Sequence, residues 1–169
     1  MNLDFSKLEM RVSRTEQKKA HERLQALALP LSKLPKKEWE NLPVTEYFLD
    51  ELKQLLTIPT AAAKNRQIKR IGNLIEEENR FELVDYLFEK VFTTAQITKI
   101  DSWKGRLTVS DESGIKQFTK QYTASEFNTL YQLLLWIEYA KFQKDDELLE
   151  ESVRDFNTYI KEVAILSQA

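Results

Sequence analysis

The fold of this chain turns on residues 94–110, TAQITKIDSWKGRLTVS. Read locally, they make a β-hairpin. Residues 94–100 (TAQITKI) and 106–110 (RLTVS) are rich in β-branched side chains, and residues 101–105 (DSWKG) between them form a turn candidate. Read against what precedes them, they make a helix. Leu83, Leu87 and Val91 recur at helical spacing, and Ile100, Trp103 and Leu107 continue as one stripe. The first reading puts strands in the protein and the second makes it all-α. Strand propensity is too dependent on context to decide between them.

The flanking segments are helical. Only three Gly and four Pro occur in 169 residues, and every proline (30, 35, 43 and 59) lies in the first 60, so the early helices are short and the later ones long. Ser13-Arg14-Thr15-Glu16 reads as a capping box, with Glu16 reaching back to the cap. The helix it opens should end near Leu29, because Pro30 follows. A short helix over 36–42 carries Trp39 as an anchor, and another runs from Thr45 to Ile58. Pro59 suits the first helical position of a segment reaching about Glu78. On that helix Ile68, Ile71 and Ile75 share a narrow arc, with Arg66, Lys69 and Arg70 opposite. Gly72 at its middle costs about 1 kcal/mol against Ala and marks the close approach of another backbone. Three further helices are expected, at about 115–122, 125–144 and 147–166, the last with Leu148, Val153, Phe156, Ile160, Val163 and Ala164 inward.

Composition excludes many chemistries. With no Cys, the chain has neither disulfides nor thiolate metal sites, and a single histidine, His21, leaves no histidine pair for a metal. Three glycines cannot build a phosphate-binding loop, so neither cofactor nor metal is expected, and no nucleophile–base pair suggests an enzyme. The N-terminus lacks a signal-peptide pattern and no stretch is long enough to span a membrane, which predicts a cytoplasmic protein.

The net charge of −2 hides a split: residues 1–75 carry 14 Lys+Arg against 9 Asp+Glu, and residues 76–169 carry 11 against 18. Such asymmetry points to a partner or to internal docking. In the basic half, Lys64, Arg66, Lys69 and Arg70 form a candidate phosphate-binding face, with Gln67 and Asn73 placed to reach base or sugar edges. The competing reading is a solvated helix face neutralised by Glu76, Glu77 and Glu78. A second, less focused set is Arg11, Arg14, Lys18, Lys19 and Arg23. Trp103, beside Lys104 and Arg106, is expected to be partly exposed and to add a secondary RNA contact. The acidic run Asp145-Asp146-Glu147 reads as helix-start charge rather than a cation site.

In order along the chain, four segments resemble one family. Ser13-Arg14-Thr15-Glu16-Gln17-Lys18-Lys19, the Leu34-Pro35 and Leu42-Pro43 steps, Arg66-Gln67-Ile68-Lys69-Arg70-Ile71-Gly72 and Trp103-Lys104-Gly105-Arg106-Leu107 are similar to motifs of the DarP/YjgA family, the dual-action ribosomal maturation proteins of bacteria. The resemblance spans about Ser13 to Ala164. It implies an all-α fold of two small helical bundles linked by a long helix, with a basic bundle over 1–79, the connecting helix over 80–111 and an acidic bundle over 112–169. It also implies a non-enzymatic assembly factor for the large (50S) ribosomal subunit, acting as a monomer. Its partners would be 23S ribosomal RNA, the precursor 50S subunit and ribosomal proteins or other assembly factors, and its task maturation of the peptidyl transferase centre. The implied RNA contacts are Arg14, Lys18, Lys19, Lys64, Arg66, Gln67, Lys69 and Arg70. The chain departs from the family where a basic, proline-containing stretch gives way to Lys141-Phe142-Gln143-Lys144-Asp145-Asp146-Glu147. A helical protein–protein adaptor that does not touch RNA is the alternative.

Overall fold

A computed structural model describes residues 3–9 and 13–168, so Arg11 lies outside the described residues. The protein is all-α; among the described residues there is no strand. The hairpin reading of 94–110 is therefore overturned, and the long-helix reading is corrected as well. Residues 80–111 form two helices, α6 (Arg80–Val91) and α7 (Thr94–Arg106), in place of a single connecting one. Phe92 breaks the run by turning extended, and its buried ring packs on Phe88 with centroids 5.2 Å apart. Leu107 and Val109, which a hairpin would have paired, are instead buried in the loop after α7.

The chain forms two compact units. One holds residues 17–93 and the other residues 1–16 with 94–169, so the boundaries fall at 16/17 and 93/94 rather than at 79 and 111. The reason is burial: Leu83, Val84, Leu87 and Phe88 of α6 are core residues of the 17–93 unit, while Ile100 and Trp103 of α7 are core residues of the other. This redistributes the charge. The 17–93 unit holds 13 Lys+Arg against 12 Asp+Glu, and the other 12 against 15. The acidic residues of α6 and the loop before it belong with the basic helices, so the units carry +1 and −3, a milder contrast than the halves of the sequence.

Local chemistry explains most helix ends. The Ser13 hydroxyl accepts from the Glu16 N–H at 3.1 Å, capping α1 (Arg14–Ala26). Pro30 does not stop this helix at Leu29. It sits inside α2 (Ala28–Lys33), where a first-turn residue needs no N–H partner, and the break falls earlier. A proline ring crowds the carbonyl four residues back, here that of Ala26, the last residue of α1. The short helix around Trp39 is α3 (Lys36–Trp39), and the buried indole N–H donates to the Leu31 carbonyl at 3.3 Å. Thr45 caps α4 (Glu46–Lys53), which tightens into a 3-10 turn over Gln54–Leu56. Thr60, not Pro59, opens α5 (Ala61–Leu74), since its hydroxyl accepts from the Ala63 N–H at 3.2 Å and Pro59 is left outside.

In the other unit, Asp111 caps α8 (Glu112–Gln121), Glu126 precedes α9 (Phe127–Gln143), and Asp145 caps α10 (Asp146–Leu166). Asp146 and Glu147 occupy the first turn of α10, where the helix dipole favours anions. Val153 is exposed, which corrects its expected inward position. An N-terminal strap lies along α9. The Phe5 ring packs edge-on against Tyr139 at 5.5 Å, and the Gln132 amide donates to the Lys7 carbonyl at 2.8 Å while accepting from the Glu9 N–H at 2.9 Å. Glu16, expected to reach back to its own cap, instead accepts from the buried Thr129 hydroxyl at 2.6 Å.

Candidate nucleic-acid interface

Helix α5 carries the main candidate face, and its neighbours set its orientation. It runs antiparallel to α1: Gly72 lies against Gln25, and His21, one turn earlier on α1, bonds Glu76. A Cβ on Gly72 would stand 2.7 Å from the Gln25 carbonyl oxygen, so glycine is required for two helix backbones to meet. Ile71 and Ile75 are fully buried beside it. With this arc facing inward, the opposite arc must face water.

Gln67 does not belong to the outward face. It is 9% exposed, and its amide donates to the Glu51 carbonyl at 2.7 Å and to the Glu51 carboxylate at 2.9 Å. It ties α5 to α4 and has no donor left over for a base edge. Arg70 is exposed but not free. Its Nε donates to the Glu51 carboxylate at 3.0 Å and a terminal nitrogen donates to the Tyr47 hydroxyl at 2.9 Å. The Arg70 guanidinium, with Gln67 second, holds the Glu51 carboxyl below the usual range. Asn73, the other expected base-reading amide, accepts from Gln25.

Arg66 and Lys69 remain. Both are exposed, and neither has an ion pair among the described residues. Two of the three acids that follow this helix are engaged elsewhere: Glu76 bonds His21, and Glu78 accepts from the Thr45 N–H at 2.5 Å, while Glu77 is exposed and makes no ion pair with the helix among the described residues. Lys64 also has no ion pair among the described residues, but it stands on the same arc as Ile68 and lines an apolar groove.

The other expected contacts scatter. Lys18 and Lys19 lie on α1, Lys18 exposed and Lys19 half-buried and engaged in an interaction. The antiparallel pairing of α1 with α5 carries Lys18 toward one end of the helix pair and Arg66 toward the other, about 20 Å apart along the axes. Arg14 is exposed and falls in the other unit, as do Trp103, Lys104 and Arg106. Trp103 is 6% exposed, a core residue rather than a surface platform. Its ring meets Phe118 edge-on at 5.4 Å, and burial pushes up the pKa of the Tyr122 hydroxyl packed on that same Phe118 ring. Arg106 lies over the outer face of the indole at 4.0 Å, and Lys104 pairs with Asp101 at 3.1 Å. Sequence reasoning places Trp103 at the surface because its neighbours are charged. The i,i+4 spacing to buried Leu107 is the contrary signal.

Several elements escape the sequence reading. Glu51 is the hub that holds Gln67 and Arg70, and nothing in its local sequence distinguishes it from other helix-surface acids. A groove beside Lys64, lined by three separate stretches of chain, 32–39, 55–56 and 64–68, is equally hidden. No helix among the described residues is long and apolar enough to cross a membrane.

Residues 10–161 match the family described as dual-action ribosomal maturation protein DarP. Two curated proteins of that name are similar: one from Methylobacillus flagellatus, 28% identical over 127 residues covering 73% of this chain and 70% of the relative, and one from Nitrosomonas eutropha, 28% identical over 144 residues covering 83% and 81%. No solved structure gives a significant match.

Proposed function

Because this chain belongs to the DarP family of ribosomal maturation proteins, we propose that it matures the large ribosomal subunit by holding ribosomal RNA on the outward arc of α5. One observation carries the reading: Arg66 and Lys69 are exposed cations without an ion pair among the described residues, on a helix whose opposite arc is locked in the core. Unpaired cations displace counterions from a phosphate backbone at no cost in broken salt bridges. Arg70 contributes less, since Glu51 already holds it.

Contacts of this kind follow RNA shape and backbone rather than sequence, because Gln67 has no N–H donor free to read bases and the oxygen of Asn73 is held by Gln25. The role is binding, not catalysis. The protein would work in the cytoplasm as a monomer on precursor 50S particles, near the peptidyl transferase centre. The family name supports the maturation role, and the free cations support RNA as the contact.

The test is a salt titration of the full-length protein against large-subunit RNA. Arg66→Glu with Lys69→Glu takes two cations off the phosphate backbone. The slope of log affinity against log salt should then fall by roughly 1.4–1.8. An unchanged slope would remove the α5 arc from the interface. Affinity that never depended on RNA at all would favour the adaptor reading.

A further inference from the structure

The 17–93 unit has an apolar groove of about 410 Å³ that the RNA reading does not use. Its floor is aliphatic: Leu34, Pro35, Leu55 and Ile68 line it, and Leu56 stands 49% exposed at its edge. An apolar side chain that exposed, beside a concave apolar surface, is typical of a contact site. Lys36 and Lys64 line the same groove, both exposed and both without an ion pair among the described residues. Lys33 and Lys37, adjoining it in the chain, are also exposed and without an ion pair among those residues. Lys64 stands in the first turn of a 14-residue helix that has no acidic residue there, where a cation opposes the helix dipole. The nearest carboxylate, Glu38 beside Lys37, is bonded to Lys90 and Tyr86, so the groove itself carries lysines and no carboxylate in its lining.

Hydrogen-bonding capacity decides what kind of anion fits. A nucleotide base would need an aromatic face to stack on or fixed polar groups to read its edge. Trp39 lines the groove, but it is nearly fully buried and its N–H is spent on the Leu31 carbonyl. Ser32 likewise donates its hydroxyl to the Leu29 carbonyl at 2.6 Å. What remains is an aliphatic basin with ammonium groups at its rim. The geometry points to this groove as the docking site for an acidic protein segment, one that seats an apolar side chain on the floor and sets Asp or Glu carboxylates against Lys36 and Lys64. This assignment moves Lys64 from the RNA face to a protein-binding one. It does not rest on the RNA reading, since Arg66 and Lys69 lie on a different arc of α5.

The probe is a short synthetic peptide, a Leu-Phe pair flanked by glutamates, labelled for fluorescence anisotropy and titrated with the full chain. Two controls replace the apolar pair by serines or the glutamates by lysines. Saturable binding is expected for the acidic apolar peptide alone. It should weaken by about tenfold or more in Leu56→Glu and in the Lys36→Glu, Lys64→Glu double variant, and stay unchanged in Arg66→Glu with Lys69→Glu. Leu56 is half-exposed in a 3-10 turn, so its substitution leaves the core intact. No saturation up to about 1 mM would overturn the proposal, as would binding that Leu56→Glu does not weaken. Displacement of the peptide by a single-stranded RNA oligonucleotide would overturn it in favour of a nucleic-acid site. Self-association abolished by Leu56→Glu would overturn it in favour of a second copy of this chain.

Discussion

On α5, Arg66 and Lys69 stand exposed with no ion pair among the described residues; at the end of α7, Lys104 is held by Asp101 at 3.1 Å and Arg106 lies over Trp103 at 4.0 Å. In the sequence the two stretches look alike, each a cluster of cations beside apolar residues on a helix. Their environments make them different. An acid three residues before Lys104 and a buried ring three residues before Arg106 absorb both charges locally. On α5, Glu76 and Glu78 are drawn off to α1 and to the start of α4, and Glu77 between them pairs with neither Arg66 nor Lys69 among the described residues. Charge density along a sequence therefore says little about available charge. What counts is whether neighbouring elements consume it.

The largest effect that could break this contrast is at Trp103. Trp103→Ala removes a buried indole packed on Phe118, with an expected loss of about 3–5 kcal/mol and a melting temperature lowered by roughly 10 °C. If thermal unfolding were unchanged while RNA affinity fell, Trp103 would be a surface contact after all. Gly72→Ala comes next, at about 1–3 kcal/mol, because the added methyl meets the Gln25 carbonyl and neither backbone can give way. Denaturant unfolding checks it; a stabilised variant, as helix propensity alone would give, would show that the two backbones are not in close contact.

The Glu51–Arg70 pair sharpens the contrast further, since it sets how much of Arg70 is free. Glu51→Gln should release the guanidinium and steepen the salt dependence of RNA binding by less than one phosphate equivalent, about 0.7 at most. The same variant should change the acid response. The Glu51 carboxyl titrates lower in the folded state than in the unfolded, so its contribution is present above an unfolded value of about 4.3 and is lost as pH falls through the folded one. The stability gap between the native protein and Glu51→Gln should therefore narrow in chemical denaturation as pH falls below about 4.3. A gap unchanged on either side of that pH would mean the pair contributes nothing as an ion pair.

Some of this is readable from residues alone. Ser13 caps α1 because a hydroxyl at that position has a backbone N–H three residues on to bind. Ile71 and Ile75 are buried because helical spacing places them on one arc. Gly72 marks a close approach because nothing else justifies a glycine in the middle of a helix. Each of these depends on chain neighbours within a turn or two. Gln67 is misread from sequence because its partner, Glu51, lies 16 residues away on another helix. The hairpin signal at 94–110 misleads for a similar reason: β-branched residues accept a helix when Ile100 and Trp103 have a core to enter.

By itself, the sequence determined the all-α character, through the order of its motifs, and the Ser13 cap of α1. It also determined the cation-bearing arc of α5 and the family to which the chain belongs, since each follows from local spacing or from motif order. The tertiary structure alone decided which cations are left over, where the two units divide and that a lysine-rimmed groove exists. Those outcomes depend on which acids and apolar surfaces distant segments bring together, and helical periodicity carries no record of that pairing.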